Sequence, residues 1–252
     1  MYDVTHLLIR IELVQISNLV FCDTFIMSLK YANKITPNPY RDLPYLIIKN
    51  FLTPELLLPM VKEINRSQDA EAAAIKKTKK RSVVDPQVDH SIRKTLIYRL
   101  NEIDDALYLK AFIHHQQIIE DFFSLAVTTS TKVQVLRYKK DYFYKKHADD
   151  SSEIINKNKE TIGFKVVAPN RKLTTILFGT SGDSENGDEM HFTGGELKFN
   201  YLFDARGESI TIKACAGDMI IFPSNPIYSH EVMPVKSGNR ITLVQWHNAI
   251  VT

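Results

Sequence analysis

From residue 131 onward the chain breaks into short apolar or alternating runs, each closed by Gly, Asn, Asp or Pro. The runs are residues 133–138 (VQVLRY), 174–178 (TTILF), 195–199 (GELKF), 209–212 (SITI), 218–222 (DMIIF) and 240–246 (RITLVQW). Successive side chains on a strand point to opposite faces, so such runs suit strands, and their punctuation suits turns. Many short strands behind a helical N-terminal half predict an α+β, mostly β fold. The expected architecture is a double-stranded β-helix, or jelly roll, with the N-terminal helices packed on one sheet.

The first half has a different character. Residues 37–44 (PNPYRDLP) read as a linker, which predicts an N-terminal extension over 1–40 and one domain over 41–252. Met27 offers a second start, which would place the preceding segment outside the fold. Residues 45–48 (YLII) read as a strand. Thr53 then stands as a helix N-cap with Pro54 at the first helical position, and Leu56, Leu57, Met60, Val61 and Ile64 follow helical spacing. Residues 68–75 could extend this helix. The apolar positions between 89 and 127, from Ile92 to Phe123, predict two more helices. The basic run at 76–81 (KKTKKR) reads as a solvated loop, since no interleaved aromatics are there to stack on bases.

Bulk properties exclude some classes. Lys plus Arg number 32 against 29 Asp plus Glu, a net charge of +3, which does not point to nucleic acid. Asp3, His6, Arg10, Glu12 and Asp23 interrupt the apolar N-terminus, so no stretch there is long enough to span a bilayer. The two cysteines, Cys22 and Cys215, form no spacing motif and suit reduced thiols. The expected location is the cytoplasm.

The chemistry is concentrated in His147-Ala148-Asp149, then His230, then Arg240. In an H-x-D pair on extended backbone both side chains point the same way. Two imidazoles and a carboxylate are the ligand set of a facial iron(II) site that leaves three positions open. The triplet alone is a weak signal. His191, in the loop 179–193, and His247, near the C-terminus, compete for the distal position, although both also read as surface or loop polar residues. The adjacent His114 and His115 lie on different faces of a helix and are poor joint ligands.

The neighbouring residues strengthen the reading. Tyr138, Tyr144, His147 and Asp149 in YKKDYFYKKHAD, then Arg171 to Phe178, the Gly194-Gly195-Glu196-Leu197 turn, the segment 216–224 (AGDMIIFPS) and Ser229-His230 through Gly238, Arg240 and Trp246 occur in order. Together they resemble iron(II)/2-oxoglutarate dioxygenases of the prolyl 4-hydroxylase type, with PKHD-type hydroxylases as near relatives. The likeness covers residues 43–247. It implies His147, Asp149 and His230 as iron ligands, and Arg240 as the bidentate partner of the distal carboxylate of 2-oxoglutarate. Tyr138 either donates to that same carboxylate or packs as a strand aromatic. Some relatives carry a tyrosine where this chain has Phe178, which has no hydroxyl to donate. Trp246 is expected to pack near the co-substrate. The implied cofactors are Fe(II), 2-oxoglutarate and O₂, with ascorbate as a reductant. The implied substrate is a peptide or protein prolyl residue or a small metabolite, and a homodimer fits the PKHD-type relatives. Loops 76–90 and 179–193 and the segment 150–168 are candidates for the substrate rim. Two other readings stay open: a catalytically idle jelly-roll binding protein, and a cupin-like metalloenzyme that does not use 2-oxoglutarate. Arg240 is the residue that separates them from the first.

Overall fold

The computed structural model describes residues 44–67, 71–72, 75–76, 86–87, 91–158, 160–182 and 188–251. The proposed extension over 1–40, the Met27 start, the basic run beyond Lys76 and most of the loop 76–90 lie outside the described residues. The elements are β1 (Leu46–Ile48), α1 (Pro54–Arg66), β2 (Glu71–Ala72), β3 (Arg93–Lys94), β4 (Leu96–Tyr98), α2 (Glu102–Phe123), β5 (Leu125–Ser130), β6 (Gln134–Tyr138) and β7 (Phe143–His147). They continue with β8 (Ser151–Ile155), β9 (Thr161–Val166), β10 (Leu173–Phe178), β11 (His191–Gly194), β12 (Leu197–Phe203) and β13 (Ser209–Ile212). The last four are β14 (Met219–Pro223), β15 (His230–Val232), β16 (Val235–Gly238) and β17 (Arg240–Val251).

Two sheets face each other. The larger has eight strands in the order β1-β14-β10-β17-β6-β4-β2, and β5 pairs with the distal part of β17. The smaller has five, in the order β13-β12-β15-β7-β3. The larger sheet is covered on both sides, so its strands are apolar on both faces and β10 and β14 are buried throughout. Its inner face (Leu136, Tyr138, Ile176, Phe178, Ile220, Phe222, Val244 and Trp246) packs on Leu197, Phe199 and Val232 of the smaller sheet. Its outer face (Val135, Leu177, Met219, Ile221, Leu243) packs on Leu57, Met60, Val61 and Ile64 of α1 and Tyr108, Phe112, Ile119 and Phe123 of α2. This is the jelly roll with helices on one sheet.

Three expectations change. Among the described residues of 89–127 there is one helix, not two. The Asn101 side chain accepts from the Asp104 amide and starts α2 there, while Leu96 and Ile97 pair with Arg137 and Leu136 of β6. Their apolar spacing matched a helix only by coincidence. Helix α1 stops at Arg66, where the Ser67 amide turns back to the Glu63 carbonyl, and Glu71–Ala72 pairs as a strand instead of extending it. The segment 179–193 is not a continuous loop: Ser181 and Gly182 pair in parallel with His191 and Phe192. Among the described residues, no helix is long and apolar enough to cross a membrane.

Candidate metal centre

Strand pairing builds the centre. His147 ends β7 and His230 opens β15, and the two are register partners across the smaller sheet. Asp149 lies just past the end of β7. One ligand atom from each of the three residues falls within 4.8 Å of the others. His147 Nε2 is 3.8 Å from Asp149 Oδ1, and His230 Nε2 is 4.0 Å from Asp149 Oδ2. His191 is not part of the group; its Nδ1 sits 2.6 Å from Asp188. His247 is also outside it. It is fully buried on the outer face of β17, a correction to its reading as a surface residue. His115 is buried and bonded to the Ala111 carbonyl, whereas His114 is exposed, so the pair does split between faces.

The donor set suits a divalent cation. Nδ1 of His147 is 2.9 Å from the Lys145 carbonyl, and Nδ1 of His230 is 3.0 Å from the Tyr228 carbonyl. A carbonyl only accepts, so each Nδ1 carries the proton and each Nε2 presents its lone pair to the shared space. Burial pushes the pKa of His147 down to about 3, with the His230 imidazole acting in the same direction, so its ring is neutral. Burial would raise the pKa of Asp149. The His230 and His147 imidazoles, the Thr174 hydroxyl and Arg171 outweigh it and hold the carboxyl below its usual range. Thr174 Oγ donates to Asp149 Oδ2 at 2.7 Å, and Ser224 Oγ lies 2.9 Å behind Thr174. Arg171 donates to the Asp149 carbonyl at 3.0 Å while its guanidinium lies 3.9 Å from the Trp246 ring centroid. The sequence pattern alone assigns Thr174 and Arg171 no role. The signal was there: Thr174, Ile176 and Phe178 share the inward face of β10.

Arg240 opens β17 opposite Tyr138 of β6. Residues 240, 242, 244 and 246 share the inner face, so strand alternation alone aims this cation between the sheets. It is 2% exposed, and its guanidinium carbon lies 5.2 Å from the Tyr138 ring centroid and 5.8 Å from that of Phe178. Nη1 donates to Thr242 Oγ at 3.3 Å, and Nε has no hydrogen-bond partner. Burial lowers its pKa to about 10 while Tyr138 and Glu196 oppose the shift, so it stays charged at neutral pH. Gly195 of the G-G turn lies against it: with φ +64°, an added Cβ would stand 3.0 Å from Arg240 Cδ and 2.9 Å from Val235 Cγ2. Buried, charged, and with one nitrogen unpaired, Arg240 has the chemistry to receive an anion.

Comparison with known proteins agrees with this geometry. Residues 133–248 match the model of the 2OG-Fe(II) oxygenase superfamily. Over this segment the chain is similar to 2OG-Fe(II) oxygenases. A PKHD-type hydroxylase of Idiomarina loihiensis is 31% identical over 120 residues, which cover 48% of this chain and 43% of that protein. The chain thus spans less than half the length of this curated relative. Among solved structures, a Pseudomonas putida prolyl-4-hydroxylase superposes with a TM-score of 0.55 at 18% identity, over 87% of this chain and 96% of that one. A viral collagen prolyl hydroxylase from Paramecium Bursaria Chlorella virus-1, in its 2-oxoglutarate complex, gives 0.55 at 18% over 84% and 100%. A Trichoplax adhaerens prolyl hydroxylase, bound to a hypoxia inducible factor peptide fragment, gives 0.55 at 16% over 87% and 86%. These likenesses establish the prolyl-4-hydroxylase-like fold.

Proposed function

We propose that the domain is an iron(II)- and 2-oxoglutarate-dependent hydroxylase acting on a C–H bond of a peptidyl proline or of a small metabolite. The balanced reaction converts substrate, 2-oxoglutarate and O₂ into hydroxylated product, succinate and CO₂. The observation that carries the reading is the buried Arg240, its Nε unpaired, on the inner face of the larger sheet, opposite the smaller sheet whose strands bring His147, Asp149 and His230 together.

His147, Asp149 and His230 are the residues that would hold iron(II), which when bound supplies the O₂ chemistry that side chains lack. The two Nδ1–H···O=C bonds fix the imidazole tautomers before any metal arrives. Thr174 keeps one oxygen of Asp149 engaged, which favours a single carboxylate atom at the metal. Arg240 receives the distal carboxylate of 2-oxoglutarate with its planar fork, and its unpaired Nε gains an acceptor there. Tyr138, 1% exposed and opposite Arg240, walls the same space. Phe178 supplies only a surface, so Arg240 and its neighbours carry the polar recognition. The apolar faces of β6, β10 and β17 keep the space dry, which strengthens each charge interaction inside it.

A peptide substrate is supported by the fold shared with prolyl hydroxylases. Hairpin β8–β9 starts two residues past Asp149 and exposes Ile154, Ile155, Ile162 and Val166, a fitting rim for an extended chain. The test is anaerobic addition of iron(II) and then 2-oxoglutarate, which should produce a weak visible charge-transfer band. Succinate release in air, with ascorbate holding iron ferrous, is then screened over peptide and metabolite pools. His147→Ala should lose both signals. A folded, iron-loaded protein with no band would overturn the assignment.

A further inference from the structure

The two ligand histidines are held differently. His230 is embedded: its side chain is 5% exposed and the rings of Phe222 and Phe199 meet it edge-on, at 5.1 and 6.1 Å. His147 sits at the open end of β7, with its side chain 15% exposed. The bond from Nδ1 to the Lys145 carbonyl fixes one ring atom and leaves the plane free to swivel. What restrains the plane is Tyr144, whose ring lies nearly parallel to the imidazole, 3.5 Å between centroids and 15° between planes. Tyr144 is itself placed by two strands, opposite Val232 on β15 and opposite Arg93 on β3. The Arg93 guanidinium carbon lies 4.5 Å from the Tyr144 ring centroid, and Arg93 Nε is buried with no hydrogen-bond partner. The guanidinium thus lies against the face of the Tyr144 ring, a cation–π contact.

We propose that Tyr144 is a positioning residue for the metal ligand His147, and that Arg93 acts through it by keeping the tyrosine ring in place. The inference rests on the metal-centre reading above. A flat stack holds the imidazole plane at the angle that points Nε2 toward Asp149 and His230. Without it the ring can rotate about its bond to Lys145 and the lone pair leaves the common point. Partners that orient a ligand in this way typically contribute about 10- to 100-fold to metal affinity.

The test is titration of the protein with cobalt(II) alone, read by the visible d–d absorption, which reports ligand geometry without turnover. Tyr144→Leu should bind cobalt about tenfold more weakly and with shifted bands. Tyr144→Phe, which keeps the ring and loses the hydroxyl, should bind as the unaltered protein does. Arg93→Met should weaken binding a few-fold in the native background and have no effect in Tyr144→Leu. A folded Tyr144→Leu with native affinity and bands overturns the proposal, as does an Arg93→Met effect that persists undiminished in Tyr144→Leu. Should Tyr144→Leu fail to fold, Arg93→Met decides alone, and unchanged bands and affinity there reject the role. Failure of the unaltered protein to bind cobalt would instead strike the metal centre itself, which separates the two outcomes.

Discussion

The polar cluster around His247 on the outer face of strand β17 and the polar groups on its inner face are satisfied in opposite ways. On the outer face His247 is fully buried, and its ring lies flat on Phe112 at 4.6 Å and 4°. Its Nδ1 is 2.7 Å from Ser130 Oγ and its Nε2 is 3.1 Å from Thr175 Oγ, while the Tyr108 hydroxyl joins Thr175 at 3.3 Å. On the inner face Arg240 keeps an unpaired Nε and Trp246 an unpaired Nε1. Burial is similar on the two sides, so burial alone does not mark a site. A buried donor without an acceptor costs about 1–3 kcal/mol, and more when charged. The network around His247 is closed and belongs to the fold, with Gln245 Oε1 the unpaired acceptor on that face; the inner face leaves charged and indole donors open, as a site for an anionic ligand would.

The largest expected effect comes from closing the open side artificially. Arg240→Leu removes the cation that would face the co-substrate's distal carboxylate. Losing one partner of a buried charge pair costs about 2–5 kcal/mol, so the KM for 2-oxoglutarate should rise at least about thirtyfold. The same change removes an uncompensated buried charge, so the ligand-free protein should melt no lower than the native one. A melting temperature that drops as for a core deletion, with KM unchanged, would place Arg240 among the structural groups and break the comparison. Arg240→Lys keeps charge but not the fork, and should recover only part of the affinity.

Two adjacent threonines sharpen the comparison. Thr174 points inward and donates to Asp149; Thr175 points outward and bonds to His247, Tyr108 and the Gln245 carbonyl. Thr174→Val should lower metal affinity about tenfold, measured by isothermal titration, with little change in melting. Thr175→Val should leave metal affinity intact and cost about 1–2 kcal/mol of stability by denaturant unfolding. Equal metal effects from the two would mean that the faces are not separate compartments.

The parts legible in the sequence were those in which chemistry and periodicity coincide locally. His147 and Asp149 lie within three residues of each other, and the interval from His230 to Arg240 spans two short strands and their turns. Alternation along residues 240–246 already assigned Arg240 to one face. It also assigned His247 to the opposite face, but proximity to the C-terminus suggested exposure, and only pairing with β5 and the cover of α2 bury it. Leu96 and Ile97 were misread because apolar spacing in a short window fits a helix or a strand, and pairing with β6 decides between them. Arg93 was unreadable for a related reason. Its contact with Tyr144 depends on β3–β7 pairing across about fifty residues of sequence, which no local pattern encodes.

The subtlest readout, a difference of slopes, tests His247 on the closed face. Burial pushes the pKa of His247 down to about 3, against about 6.5 when unfolded. Between those values the unfolded chain binds one proton more than the folded chain at this site. Stability therefore rises with pH there, and acidification below about pH 6.5 lowers it by up to about 1.4 kcal/mol per pH unit from this residue. His147 and other groups titrate in the same window, so the readout is the difference between two proteins. With chelator present, denaturant unfolding of the native chain and of His247→Gln is followed from pH 7 to pH 4.5. The variant starts less stable, having lost the Phe112 stack, but its stability should fall with a slope shallower by about one proton. Parallel slopes would mean that His247 is protonated in the fold, and a closed network of Ser130, His247 and Thr175 could not then be what distinguishes the outer face from the inner one.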